Sequence, residues 1–263
     1  MYSWLFVAAV LAASGAMAAI KTDAVRYESG GVMMVGTIVY DDAKVDKPTW
    51  IVVFPEWWGA NDYAKSRARM LVDLGYVAFV ADMYGEGKTT EDPKDAAALA
   101  GGVYGKPDVM VARARAAYQT LQSSGKCDPQ RIAAIGYCMG GSVALHLARS
   151  GENLLAVVAF HAGLANRLEK DQPIRARILV MNGADDKMVS PEETQKFEDE
   201  MRQAKADWSL VLFGNAMHAY TNPNADKYRA IGSLGYNQAA DKRSWKMMRM
   251  WLEDAMSPQG QTK

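Results

Sequence analysis

Short, nearly unbroken apolar runs alternate along this chain with longer stretches whose apolar residues recur every three to four positions. The runs "VMMVGTIVY", "WIVVFPE", "YVAFVADMYG", "RIAAIG", "LLAVVAFH", "RARILVMNG" and "DWSLVLFG" have the length and composition of strands. Between them, "YAKSRARMLVDLG" has helical spacing and stops on Gly75, and "KPDVMVARARAAYQTLQSSG" opens on Pro107 and closes on Gly125. "GGSVALHLARSG" reads as a helix. "SPEETQKFEDEMRQAK" begins a helix with Ser190 as cap, Pro191 at the first turn and Glu193 three residues after the cap. "QAADKRSWKMMRMWLEDAM" is a closing helix with an aromatic and methionine face. Strands that are apolar on both sides need cover on both faces. The alternation therefore predicts an α/β fold with a mostly parallel central sheet covered by helices on both faces. No break in composition divides it. Residues 85–107 are the expected irregular segment and a candidate lid.

The first residues stand apart. "MYSWLFVAAVLAASGAMA" carries an apolar run from Trp4 to Ala13, and Ala16 and Ala18 form a small-residue cleavage signal. A basic start is missing, and the run is short and alanine-rich for a membrane span of about 20 residues. The expectation is an export signal over residues 1–18, cleaved after Ala18, with an uncleaved anchor as the alternative. That leaves one domain, 19–263, outside the cytoplasm, in a periplasm and off the membrane. The formal net charge of +0 gives no reason to expect a nucleic-acid partner. The two cysteines are Cys127 and Cys138. The strand "RIAAIGY" between them holds their Cα atoms roughly 20 Å apart, beyond disulfide reach. Two free thiols are predicted.

Chemistry enters at "GYCMGG". A G-x-C-x-G sequence between a strand and a helix has the form of a nucleophile elbow with cysteine at its centre. The turn brings strand and helix close, so Gly136, Gly140 and Gly141 supply the small neighbours it requires. The following helix points its N-terminus at Cys138, which favours a thiolate. The Met139 amide then stands where half of an oxyanion hole is needed. A structural cysteine on a tight turn has the same local sequence, so the other residues must decide.

A thiol nucleophile needs a base, and the base an orienting carboxylate. His146 falls inside a helix, where it packs. His161 ends a strand, and fits either a place near the site or a satisfied core position. His218, in "GNAMHAYTNP" after the last strand, has the position of the base in the chain order nucleophile, acid, histidine. The loop "NGADDKMVSP" offers Asp185 and Asp186. The frame G-x-x-D-x-x-V, with Gly183 and Val189, selects Asp186.

With these residues in order, "PEWWGAND", "ADMYG", "GYCMGG", "NGADDKMV" and "HAYTNP", the chain resembles the dienelactone hydrolases. These are single-domain α/β-hydrolases with a Cys-His-Asp triad and no cofactor or metal. The resemblance covers nearly all of the domain. It implies that Glu56, beside Trp57 and Trp58, contacts the resting thiol and yields it when substrate binds. It also implies the Trp57 amide as the second oxyanion donor. Aromatic neighbours should raise the Glu56 pKa by desolvation.

The chain departs from that family where two arginines grip a substrate carboxylate. Glu86 and Asn222 stand in their places. The expected substrate is therefore a neutral or extended small-molecule ester or lactone, contacting Trp57, Trp58, Tyr84 and Tyr220. A thioesterase or acyltransferase could use the same triad, and a hydrolase fold can also serve as a non-catalytic binding protein. A thiol redox protein would want a resolving cysteine near Cys138, which Cys127 is too far away to be.

Overall fold

The computed structural model describes residues 20–44, 49–124, 128–170 and 172–257. The expected export segment and Cys127 lie outside the described residues. Eight strands form one sheet in the order β1-β2-β4-β3-β5-β6-β7-β8. They are β1 (Ile20–Ser29), β2 (Val32–Asp41), β3 (Trp50–Phe54), β4 (Val77–Val80), β5 (Ile132–Tyr137), β6 (Ala156–Phe160), β7 (Arg177–Gly183) and β8 (Trp208–Phe213). From β4 to β8 every pair is parallel; β1 and β2 form an antiparallel hairpin at one edge.

The helices are α1 (Asp62–Asp73), α2 (Pro93–Tyr104), α3 (Pro107–Gln122), α4 (Met139–Arg149), α5 (Pro191–Gln203) and α6 (Gln238–Met256). Every residue of β3, β4, β5 and β6 is buried, as a sheet covered on both sides demands. Alternate residues go to opposite layers. Val52 and Phe54 join a core with Met110 and Ala114 of α3, Val143 and Leu147 of α4 and Phe197 of α5. Ile51 and Val53 join a second core with Ala64 and Leu71 of α1 and Met248 and Leu252 of α6. The predicted mostly parallel, doubly covered sheet is the fold observed.

Two elements differ from the expectation. Strand β1, "IKTDAVRYES", has no apolar run because its first residues face solvent. It is set by the turn at Gly30 and Gly31, whose φ values of 58° and 77° suit a two-residue hairpin. The segment 85–107 is not irregular throughout: α2 occupies most of it, capped by the Asp92 carboxylate on the amides of Lys94 and Asp95. Among the described residues no helix is long and apolar enough to cross a membrane. The carboxyl ends of β3 to β8 all open on one edge, and Glu56, Asp82, Cys138, His161, Asp186 and His218 follow them in turn.

Candidate active site

Cys138 lies between β5 and α4 with φ 55° and ψ −120°, a conformation L-residues avoid. The surrounding glycines make that turn possible. A Cβ on Gly136 would run into the Gly140 carbonyl, and one on Gly140 into the Phe54 carbonyl. Met139 is the first residue of α4, so its amide has no carbonyl a turn behind it to bond. The Cys138 Sγ stands 3.0 Å from Nε2 of His218.

His218 is held from both sides. Its N–H donates to the Ser233 carbonyl at 2.8 Å, and its carbonyl accepts from Gly235 at 3.1 Å. Its Nδ1 is 2.7 Å from Oδ2 of Asp186. The other carboxylate oxygen of Asp186 accepts the Met188 amide at 2.9 Å, which fixes the direction of the group. Asp185 is exposed, and its backbone joins this region through Ala216 and Ser233. Burial opposes protonation of His218, but Cys138 and Asp186 outweigh it and hold its pKa well above the ordinary imidazole value.

The loop after β3 carries Glu56, Trp57 and Trp58. Glu56 is buried, and its Oε2 accepts from Nδ2 of Asn222 at 2.6 Å. The thiol is engaged by His218, and the carboxylate by Asn222. Burial pushes the Glu56 pKa up to about 7, against the opposing pull of Asn222, His218 and Arg67. The sequence marks Asn222 only as standing where an arginine is absent; its bond to Glu56 has no local signal.

Asp82 organises the next loop. Its carboxylate accepts the amides of Val35, Tyr84, Gly85 and Gly87 at 2.8–2.9 Å. The loop so formed aims the Tyr84 hydroxyl at the Trp57 carbonyl, 2.8 Å away. Glu86, in the left-handed region at φ 58°, turns outward and pairs with Lys88, so it does not face the site.

The cavity at the thiol has a volume of about 290 Å³. Trp57, Tyr104, Met139, Met188, Val189 and Leu234 supply much of its wall; Arg167 and Glu193 line it too, beside Cys138 and His218. Three expected contacts lie elsewhere. Tyr220 is fully buried with its hydroxyl on the Met181 carbonyl, because Ala219 at φ 57° turns the chain inward. Trp58 faces a separate polar cleft and packs on Tyr228. Tyr84 is buried behind Trp57 and Met139. Arg167, lying 4.2 Å over the Tyr104 ring, was missed because nothing in its local sequence marks it. His146 packs within α4, its Nδ1 2.7 Å from the Ser142 carbonyl. Among the described residues no group of three or more His, Cys, Asp or Glu is placed to hold a metal ion.

Comparison with known proteins gives this arrangement a family. The model of the dienelactone hydrolase family matches residues 35–256. A putative carboxymethylenebutenolidase of Salmonella typhimurium is 26% identical over 77% of this chain and 76% of its own length. An uncharacterised protein of Caenorhabditis elegans is 34% identical over 55% of this chain and 93% of its own. The solved structure of P91, a dienelactone hydrolase-like promiscuous phosphotriesterase from metagenomic libraries, superimposes with a TM-score of 0.86. It is 37% identical, and the match spans 90% of this chain and 99% of that one. The sheet is that of the α/β-hydrolases, and the chain belongs to the dienelactone hydrolase family as a hydrolase of esters or lactones.

Proposed function

We propose that the chain cleaves an uncharged ester or lactone through an acyl-enzyme on Cys138. The observation that carries this reading is one line of contacts: Sγ to Nε2 of His218 at 3.0 Å, then Nδ1 to Asp186 at 2.7 Å. Transfer of the thiol proton to Nε2 of His218 makes the sulfur the attacking thiolate. The thiolate attacks the carbonyl carbon, and the carbonyl π electrons move onto oxygen. The amides of Met139 and Trp57 receive that oxyanion. On collapse the alkoxide leaves with the proton from Nε2 of His218, and a thioester remains on Cys138. Water then gives its proton to His218 and attacks the thioester, and the acid departs as the thiolate–imidazolium pair reforms.

Glu56 is assigned a gating role. Its place on Asn222 corresponds to the thiol being engaged by His218, and movement of the carboxylate toward the sulfur would return the resting form. The charge of the cavity supports a neutral substrate, since Arg167 and Glu193 line it together and neither sign prevails. Residues 1–18 are proposed to direct export, which N-terminal sequencing of secreted protein would test. The catalytic reading is tested by p-nitrophenyl acetate hydrolysis in the presence of reductant. Wild type should turn over and Cys138→Ala should fall to the uncatalysed rate. Equal activity of the two would refute it.

A second reading is phosphotriester cleavage by the same thiolate, supported by the 37% identity to P91. Paraoxon turnover by wild type and not by Cys138→Ala would establish it.

A further inference from the structure

We infer that His161 is a positioning residue for this reaction, a neutral brace that ties the backbone of the nucleophile to the loop carrying the base. The inference rests on the roles proposed for Cys138 and His218. His161 follows β6 at φ 38° and is fully buried. Its Nδ1 lies 3.0 Å from the backbone nitrogen of Cys138, which also donates to the Phe160 carbonyl at 3.0 Å. A backbone N–H can only donate. Nδ1 must therefore carry a lone pair, and the ring proton is on Nε2. That proton points at Oγ1 of Thr221, 2.7 Å away.

Thr221 is three residues past His218, on the same loop. Its Oγ1 is also 2.6 Å from the Tyr63 hydroxyl. Its carbonyl accepts from Arg67, which is paired with Asp241 at 2.7 Å. The chain of bonds thus runs from the nucleophile's amide through His161 to the base's loop, and on to α1 and α6. The elbow and the base come from different strands, and the brace holds the separation between them.

The imidazole also stands edge-on to His218, with ring centroids 5.3 Å apart. A proton on Nδ1 would break the bond to Cys138 and place a second cation beside the His218 imidazolium. The surroundings oppose it. Arg67 and Tyr63 approach from α1, Tyr137 from β5, and His218 and Tyr220 from the loop after β8. Burial, then His218 and Arg67, keep the His161 pKa well below the ordinary imidazole value. A buried histidine serving only the core would need neither the amide of the nucleophile nor the loop of the base.

The test uses full-length protein with His161→Phe, His161→Asn and Thr221→Val, and Cys138→Ala as reference. Ester hydrolysis gives kcat and KM, and alkylation of Cys138 by iodoacetamide across pH reports the ion pair. His161→Phe fills the space without an acceptor and should lower kcat about tenfold, the worth of one buried hydrogen bond. Its KM should stay within about twofold, and its alkylation midpoint should move to higher pH. His161→Asn restores an acceptor for the Cys138 amide and should recover most of the loss. Thr221→Val breaks the far end and should shift alkylation in the same direction; it decides the matter if His161→Phe does not fold. Wild-type kcat and an unmoved alkylation profile in folded His161→Phe or Thr221→Val would overturn the brace. Residual wild-type activity in Cys138→Ala would instead overturn the catalytic reading on which it rests.

Discussion

Replacing Asp186 by asparagine exchanges one carboxylate oxygen for an NH₂ with almost no change of shape. The oxygen facing Met188 can remain an acceptor, so the side chain keeps its orientation. The amide NH₂ then faces Nδ1 of His218, where Oδ2 now lies at 2.7 Å. Two donors cannot share that contact, so Nδ1 must lose its proton and Nε2 must take it. His218 then points an N–H at the sulfur in its neutral form and has no lone pair to accept a proton. Loss of the charge-assisted bond alone costs about 1.5–3 kcal/mol, or roughly 10- to 150-fold. The wrong tautomer adds to this, and the expected fall in kcat is about 10³–10⁴-fold. Asp185→Asn alters an exposed side chain and should stay within about twofold of wild type. Both variants would be assayed on p-nitrophenyl acetate with reductant, after thermal melting shows that they fold. An Asp186→Asn enzyme with a third of wild-type kcat, or an equal loss in Asp185→Asn, would refute the reasoning.

Other consequences concern the surroundings of the triad. Glu56 has a pKa of about 7 in the fold against an ordinary 4.5, so the folded protein binds more protons than the unfolded chain between those values. Its contribution to stability is complete below pH 4.5 and declines as pH rises to 7, by roughly 3 kcal/mol. Glu56→Gln cannot titrate, so its stability relative to wild type should rise over that interval in urea melts; a difference independent of pH would contradict this. Tyr84→Phe removes the bond to the Trp57 carbonyl and should lower kcat about fivefold with KM within about twofold; an unchanged kcat would separate Tyr84 from the oxyanion loop. Arg67→Met leaves Asp241 without its guanidinium and the Thr221 carbonyl without its donor, and should destabilise the fold by about 3 kcal/mol. A melting curve identical to wild type would show that this buried pair contributes nothing.

The sheet was legible because its inner strands are apolar on both sides and need cover on both faces. That Cys138, Asp186 and His218 come together was legible because all three fall just beyond strand ends, where an α/β sheet places a site. Strand β1 was not, since a half-exposed edge strand has no apolar run to read. Which face a loop side chain takes was not legible either. Trp57 and Trp58 are neighbours, yet one lines the thiol's cavity and the other a polar cleft, as the turn from Glu56 to Gly59 sets. Tyr220 looks like a pocket residue until the left-handed turn at Ala219 sends it into the core. Ile231 ends a kinked 3₁₀ segment, Ala225–Ile231, and Leu234 follows it; both reach the cavity with no apolar periodicity to announce them. The bond between Cys138 and His161 joins the ends of neighbouring strands, 23 residues apart, and no local pattern encodes it.

The central claim is that the acyl group passes through Cys138. The direct measurement is rapid acid quenching of the enzyme during p-nitrophenyl acetate turnover, followed by mass spectrometry of its peptides. The account predicts one acetyl group on the peptide containing Cys138, absent from Cys138→Ala and discharged by water in wild type. An active enzyme that never carries the acetyl group on Cys138, or carries it on another residue, would contradict it.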